Sequence, residues 1–259
     1  MVTHHHDLEP GPWYVRWTDR WLAGATDRAI AVSDAVAEVW IRRHLPRERI
    51  VVVPNAVHDR WRVPVDPAQR QALRSALGIP PDAPVVGTVT RFDAVKDLPA
   101  LLEAVHRLRT PSPAHLLLVG DGPERPALEE RLRALGLTGR AHCVGFQDDP
   151  RPYVALMDVM VVCSLHEGFS TALLEAMALG RPVVATSGSG MSELVQDGRN
   201  GLLVPPHAPA RLAEAVQRLL DDPGLAAALS SQAGKDAGRF TVAAHVAGIE
   251  RIYRDVRGR

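Results

Sequence analysis

Two glutamates, Glu167 and Glu175, lie eight positions apart in the stretch HEGFSTALLEAMALG. A short apolar run ends just before the first, and Gly180 with Pro182 closes the segment that contains the second. We therefore expect Glu167 in a loop at the carboxyl end of a strand and Glu175 about one turn inside the following helix. Eight helical residues span about 12 Å, whereas a retaining glycosidase places its carboxylates about 5 Å apart. The spacing excludes a hydrolytic acid and base and favours two contacts along one long ligand.

The neighbouring residues suit an anion. Ser170 or Thr171 can cap the predicted helix, whose free amides and positive dipole end attract negative charge. Arg91 and Lys96, in TRFDAVK, follow another predicted strand and should reach the same edge, where a guanidinium and an ammonium can hold phosphate. The alternatives are ordinary surface charge for the two cations and a solvated helix position for Glu175.

The elements that position these residues follow a regular rhythm from about residue 84. Short apolar runs, such as PVVGTV, HLLLV and VMVV, alternate with amphipathic segments. Such short runs without polar alternation predict strands buried on both faces, with helices in the crossovers. The predicted fold class is therefore α/β, a doubly wound parallel sheet that binds ligands at the carboxyl ends of its strands.

The first sixty residues have a different pattern. MVTHHHD predicts the end of one strand, residues 13–44 are expected to be largely helical, and RIVVVPNAV predicts a second strand. This segment is too small for a doubly wound domain of its own, and the two prolines of RWRVPVDPAQ indicate a domain junction after it.

Composition and missing motifs exclude several function classes. The 30 basic and 30 acidic residues cancel and no basic block occurs, so nucleic acid is not an expected partner. VGDGP begins like a dinucleotide fingerprint, but Arg125 occupies the third glycine position and NAD is not expected. Asp-x-Asp, Walker and Gly-x-Ser-x-Gly sequences are absent.

The cysteines and the hydropathy pattern predict a cytoplasmic protein. Cys143 and Cys163 lie in apolar runs, as buried small residues do, and neither a disulfide nor a metal site is expected. No apolar run approaches the roughly 18 residues of a membrane span, and the amino terminus lacks the pattern of a secretion signal.

Several blocks together resemble the GT-B glycosyltransferases of family 4. In chain order they are RAIAVSDAVAEVW, IVVVPNAV, GTVTRFDAVKD, LLLVGDGPERPALE, VGFQDDPRPYVALMDVMVVCS, EGFSTALLEAMALGRPVVAT and ELVQDGRNGLLVPP. The resemblance covers nearly the whole chain and implies a GT-B fold with a complete donor domain at residues 61–240. Residues 1–60 would be the remnant of an amino-terminal acceptor domain, and residues 241–259 a helix that crosses back to it.

The resemblance also implies roles for individual residues. Glu175 would bind the ribose hydroxyls of a nucleotide-sugar donor, Glu167 would face the transferred sugar, and Arg91 and Lys96 would hold the diphosphate. Backbone groups after the third strand of the sheet would contact the base. The implied catalytic set is Arg91, Lys96, Glu167 and His6, and the implied donor-binding set is Glu175, Gly168, Phe169, Ser170, Thr171, Gly145 and Phe146.

The function that the resemblance implies is retaining transfer of a sugar from a nucleotide diphosphate, without a metal or another cofactor, to a glycan, lipid-linked or small-molecule acceptor. The alternative is a nucleotide-sugar-binding subunit or an inactive fragment that needs a partner chain for the acceptor. A related nucleotide-sugar epimerase is disfavoured because the whole block from EGFS to EAMALG matches the transferases.

Departures from the family pattern lie mainly in the amino-terminal part. About 90 residues of an acceptor domain, including its glycine-rich first loop, are expected to be missing, judged by the size of such a domain. His6 is the best match to a histidine that reaches the donor sugar, with His5 next, while the alternative is a loop histidine. Ala56 replaces the family's usual glycine, which affects the expected hinge conformation.

Trp13, Trp17 and Trp21 recur at four-residue spacing and would form one stripe on a helix. Packing against the missing sheet is the favoured interpretation. A peripheral membrane contact, or contact with a lipid-linked acceptor at the inner face of the membrane, is the other.

Overall fold

In the computed structural model of the chain, residues 1–6, 24–188 and 190–258 are described. Two parallel sheets organise this part of the protein, one of three strands and one of six. The strands are β1 Val2–His5, β2 Arg28–Ala31, β3 Ile50–Val52, β4 Val85–Val89, β5 His115–Val119, β6 Ala141–Cys143, β7 Val159–Val162, β8 Val183–Thr186 and β9 Leu202–Val204.

Helices cover the sheets and link their strands. They are α1 Asp34–Arg42, α2 Pro67–Ala76, α3 Leu98–Arg107, α4 Arg125–Ala134, α5 Arg151–Leu156, α6 Thr171–Ala178, α7 Met191–Leu194, α8 Pro209–Asp221, α9 Pro223–Ala237 and α10 Val242–Arg257. Several begin with a proline in the first turn, where the missing amide proton costs nothing.

The six-stranded sheet has the order β6-β5-β4-β7-β8-β9, with every neighbouring pair parallel. All residues of β5, β7 and β8 are buried, as expected for strands covered on both faces. The chain winds outward from β4 on one side and from β7 on the other, so the order reverses between these two strands. Such a reversal opens a crevice at the carboxyl ends, and the α/β fold class predicted from the sequence is confirmed.

The three-stranded sheet corrects two expectations. Residues 13–44 were expected to be largely helical and the sheet to have two strands, but Arg28–Ala31 forms β2, which pairs with both β1 and β3. Ala29, Ile30 and Ala31 are fully buried there. Alanine has a low intrinsic preference for strands, so this short run resembled the start of the helix that follows it.

The chain crosses between the two sheets at two adjacent places. The Val57 amide donates to the Phe240 carbonyl at 2.9 Å, and Val57 bridges Thr241 in parallel. Beyond this crossing α10 packs on the three-stranded sheet, where Ile252 joins the apolar cluster of Ile30 and Val53. The domain boundaries proposed from the sequence stay predictions.

The sequence raised two questions about membranes, namely a spanning segment and a peripheral contact through the tryptophan stripe. None of the described helices is long and apolar enough to cross a membrane. The tryptophan stripe of Trp13, Trp17 and Trp21 lies outside the described residues, so its two interpretations stay open.

Candidate functional site

A cleft of about 900 Å³ lies at the switch point of the six-stranded sheet. The loops after β4 and β7 and the start of α6 form most of its wall, and His6 and Asn55 contribute from the side of the three-stranded sheet. Eight of the predicted site residues line it: His6, Arg91, Lys96, Glu167, Gly168, Phe169, Ser170 and Thr171.

Both cations of the cleft are paired with carboxylates. Lys96 Nζ lies 2.8 Å from Glu167 Oε2, and both side chains are about one-fifth exposed. Arg91 Nε lies 2.7 Å from Asp93 Oδ2, with the Arg91 side chain 74% exposed. The remaining oxygen of Asp93, Oδ1, is buried without a hydrogen-bond partner among the described residues. Water screens the outer pair strongly and the inner pair less.

The start of α6 adds backbone donors to the same wall. Ser170 is the N-cap, and its hydroxyl accepts a hydrogen bond from the Leu173 amide at 3.3 Å. Thr171 and Ala172 line the cleft with the first turn of the helix, where amides have no partner within the helix. The Phe169 ring is 6% exposed and packs edge-on against Phe240, so Phe169 offers its backbone to the cleft. This arrangement can bind an anion.

Glycines allow three backbone segments to meet beside the cleft. A Cβ on Gly168 would clash with the His6 carbonyl, and a Cβ on Gly190 would clash with the Gly168 carbonyl. The Gly190 amide also donates to the Glu167 carbonyl at 3.0 Å. The end of β1, the Glu167 loop and the loop before α7 are therefore in direct contact, and this contact fixes where Glu167 lies.

The two candidate histidines at the end of β1 have different surroundings. His6 is exposed and lines the cleft. The His5 ring lies tilted against Trp40 with ring centroids 3.6 Å apart, and its Nε2 lies 2.9 Å from the Thr3 hydroxyl. Burial lowers the pKa of His5 to about 4, so this imidazole is neutral at pH 7. Of the two, His6 has the position that the prediction requires.

Glu175, Gly145 and Phe146 are not among the residues that line the cleft. Glu175 is half-buried, which argues against the alternative of a solvated helix position. Burial raises the pKa of Glu175 to about 7, against the opposing effects of Arg60 and of a hydrogen bond from Trp61. The Phe146 side chain is 76% exposed in the loop after β6. The roles of these three residues stay predictions.

Sequence reasoning missed residues that the structure brings to the site. Asp93, Asn55 and His166 line the cleft, and Asp93 could have been found because it lies between the two predicted cations. Outside the cleft lining, Glu193 was also missed: its carboxylate accepts hydrogen bonds from the Asp34 and Ala35 amides, at 3.0 and 2.8 Å, at the start of α1. These partners are about 160 positions away, and no local pattern predicts such a contact.

Metal ligation was not expected from the sequence. The described side chains include no group of three or more His, Cys, Asp or Glu residues that could hold a metal ion. Both cysteines are free, with Cys163 buried and Cys143 half-buried, and burial raises the pKa of Cys163 to about 12.

Two parallel sheets covered by helices, with a cleft at a switch point, are the architecture of a GT-B-type α/β protein. Residues 83–222 match the family described as "Glycosyl transferases group 1", and residues 1–61 match "Glycosyltransferase Family 4". The chain belongs to this family, as its sequence blocks predicted.

Known proteins resemble the chain in sequence and in structure. It is 30% identical to alpha-D-kanosaminyltransferase of Streptomyces kanamyceticus over 93% of this chain and 64% of that protein. Alr3699/HepE of Anabaena, solved in complex with UDP, aligns with a TM-score of 0.88 and 27% identity over 100% of this chain and 72% of its own. Sucrose-phosphate synthase of Thermosynechococcus elongatus aligns with a TM-score of 0.86 and 28% identity over 99% and 68%.

The coverage of the relatives is partial. The chain spans between about half and two thirds of the length of the curated relatives it matches. The activity of a whole protein of this family is therefore a proposal for this chain.

Proposed function

We propose that the chain binds a nucleotide-diphosphate sugar in the cleft and transfers its sugar with retention of configuration, without a metal ion. The observation that carries the proposal is the meeting of Arg91, Lys96 and the first turn of α6 at one switch-point cleft. Alr3699/HepE, 27% identical over the whole chain, supports the donor class because it is solved with UDP and with UDP-glucose.

The chemistry of the transfer needs positive charge at one place. When the anomeric bond breaks, negative charge develops on the distal phosphate of the leaving nucleotide. Fixed cations and amides stabilise that charge without having to reorient during the reaction. Lys96 and Arg91 supply the cations, and the amides of Thr171 and Ala172 supply donors from the helix start.

The carboxylates of the cleft hold the cations before the donor binds. Lys96 is 2.8 Å from Glu167, so a diphosphate that takes the ammonium would replace this contact, while Glu167 faces the hydroxyls of the transferred sugar. In the same way Asp93 holds Arg91 at 2.7 Å. Exchange of one anionic partner for another avoids leaving a desolvated cation unpaired, which would be costly.

Glu175 is proposed to bind the ribose at the other end of the donor. Its ionised carboxylate would accept from the two ribose hydroxyls, and Trp61, 1% exposed, orients it through a hydrogen bond. We expect Glu175→Ala mainly to weaken donor binding and Glu167→Ala mainly to impair transfer. Equal loss of folding stability with no specific effect on either step would contradict both assignments.

The acceptor is proposed to be a glycan, a lipid-linked sugar or a small molecule bound next to His6. The alternative from the sequence is a nucleotide-sugar-binding subunit that uses a partner chain for the acceptor. One experiment separates the two: calorimetric titration with UDP and UDP-glucose, followed by a radiolabel assay for glucose release or transfer. Binding with turnover supports the enzyme, binding without turnover supports the subunit, and absence of binding to both contradicts the donor site.

A further inference from the structure

A second pocket, of about 270 Å³, lies at the carboxyl end of α6, whereas the cleft lies at the start of this helix. Its wall is formed by the segment after Trp61, the start of α2, the end of α5 and the carboxyl end of α6. We call it the arginine pocket, after Arg62, Arg70 and Arg181, which line it together with apolar residues such as Val65 and Leu179. Its described lining contains no acidic residue.

The three guanidinium groups are poorly neutralised. Arg62 has Asp59 as its carboxylate partner, but the two are 4.0 Å apart and the Asp59 side chain is 84% exposed. Arg70 is exposed, and its side chain has no ion pair or hydrogen bond among the described residues. A solvated carboxylate at that distance compensates little of the charge.

Arg181 lies deepest of the three. Its Nη1 donates to the Ala155 carbonyl at 3.3 Å, while its Nε is buried with no hydrogen-bond partner among the described residues. Burial lowers the pKa of Arg181, Arg70 lowers it further, and Asp158 opposes both. Asp158 lines the neighbouring cavity and not the arginine pocket. A carbonyl dipole satisfies one donor of Arg181 but does not cancel its charge.

We propose that the arginine pocket is a binding site for an oxyanion of the phosphate-monoester class, separate from the donor cleft. Guanidinium groups bind phosphate oxygens with paired, charge-assisted hydrogen bonds, and Arg62, Arg70 and Arg181 bring three such groups to one pocket. In a chain with zero formal net charge, this local excess of cations is not part of a general basic surface.

The volume and the lining of the pocket indicate that its ligand is larger than a phosphate group alone. Its volume equals that of about nine water molecules in the liquid, which is more room than a phosphate group needs. The apolar wall of Val65 and Leu179 would contact an organic substituent. Both a free phosphorylated metabolite and the headgroup of a phospholipid such as phosphatidic acid have this chemistry.

Phosphate binding to the pocket can be measured apart from the donor cleft. In an Arg91→Ala/Lys96→Ala background, which removes the cations of the cleft, inorganic phosphate is titrated by ³¹P line broadening. We expect saturable binding that Arg70→Gln weakens about tenfold or more, the loss that one charge-assisted hydrogen bond gives. Arg218→Gln, which removes an exposed arginine from α8, is the matched control and should bind like the background.

The source of the phosphate is identified in two further arms. Competition by glycerol 3-phosphate alone indicates a free metabolite. Flotation of the protein with phosphatidylcholine vesicles that contain phosphatidic acid, but not with phosphatidylcholine alone, indicates a lipid headgroup. The proposal is overturned if phosphate does not bind saturably, or if Arg70→Gln and Arg218→Gln bind it equally well. Neither result bears on donor binding in the cleft.

Discussion

Basic side chains have different partners at the two edges of the six-stranded sheet. At the carboxyl edge, Lys96 and Arg91 each lie within 2.8 Å of a carboxylate oxygen. At the amino edge, Arg181 and Arg140 donate instead to backbone carbonyls, those of Ala155 and Ala114. Burial lowers the pKa of both arginines, since a carbonyl dipole replaces lost hydration only in part.

This difference shows what each edge can do. Paired charges at the carboxyl edge can be exchanged for those of a ligand and restored after it leaves, which suits turnover. An arginine that donates only to backbone carbonyls keeps its full positive charge, which suits an anion that stays bound. Substitutions at the carboxyl edge should therefore affect catalysis, and those at the amino edge should affect binding and stability.

The largest expected effect is at the cations of the cleft. Lys96→Ala and Arg91→Ala should each lower turnover of the donor by about 10²-fold or more, the loss seen when one electrostatic donor is removed. Initial rates with saturating UDP-glucose measure this, and Arg218→Gln controls for loss of one positive charge. Wild-type turnover in both variants would show that the paired cations of this edge are not catalytic.

A pH effect should distinguish Glu175 from surface glutamates. Its pKa of about 7 means that between pH 4.5 and 7 the folded chain holds a proton that the unfolded chain has lost, so stability falls as the pH rises through this range. In the wild type, the free energy of unfolding should fall by at most about 3 kcal/mol over this pH range because of Glu175, and Glu175→Gln should abolish this fall. Urea unfolding at a series of pH values measures it.

The control for Glu175 is Glu250→Gln, at an exposed position on α10. Its unfolding free energy should follow that of the wild type at every pH. If Glu175→Gln also follows the wild type, the carboxylate is solvated in the folded protein and its proposed place at the ribose loses support.

A side chain at position 168 should destabilise the protein, because Gly168 lies directly against the end of β1. Gly168→Ala places a methyl group against the His6 carbonyl and should cost about 1–3 kcal/mol, as overpacking does. Gly139→Ala, with open space around the new methyl group, is the control. Thermal unfolding measures both, and equal melting temperatures would mean that β1 and the Glu167 loop are not in contact in solution.

The smallest expected effect is at the amino edge, in the pair of His115 and His142. Nδ1 of His115 lies 2.9 Å from Nε2 of His142, and burial lowers the pKa of both rings. Below pH 6.5 the unfolded chain takes up protons that the folded chain does not, so stability falls as the pH falls, opposite in sign to the effect of Glu175.

His142→Gln should reduce this acid sensitivity, with exposed His106→Gln as its control. The effect is small because His142 is only half-buried and water screens part of its charge. An unchanged pH profile in His142→Gln, measured by urea unfolding between pH 5 and 7, would show that the two rings titrate as they do in the unfolded chain.

Much of the fold and part of the site follow from local sequence. The strand before Glu167, the Ser170 cap and the loop of Arg91 and Lys96 were predicted because each depends on a few adjacent residues. The burial of Glu175 under Trp61 and the contact of Glu193 with α1 could not be predicted, since each joins residues more than a hundred positions apart. The strand at Ala29 to Ala31 was missed because its neighbours in the sheet, and not its own composition, determine it.

The paired crossings at Val57 and Thr241 have a mechanical consequence. Because the Val57 amide is bonded to the Phe240 carbonyl, both covalent links between the two sheets pass through one narrow strip of backbone. Two links at one line leave rotation about that line as the easiest relative motion of the sheets, while shear and separation would stretch both links at once. The cleft would then open by a hinge motion. The hinge axis would pass through residues 57 and 241, and the contact between Gly168 and His6 would separate.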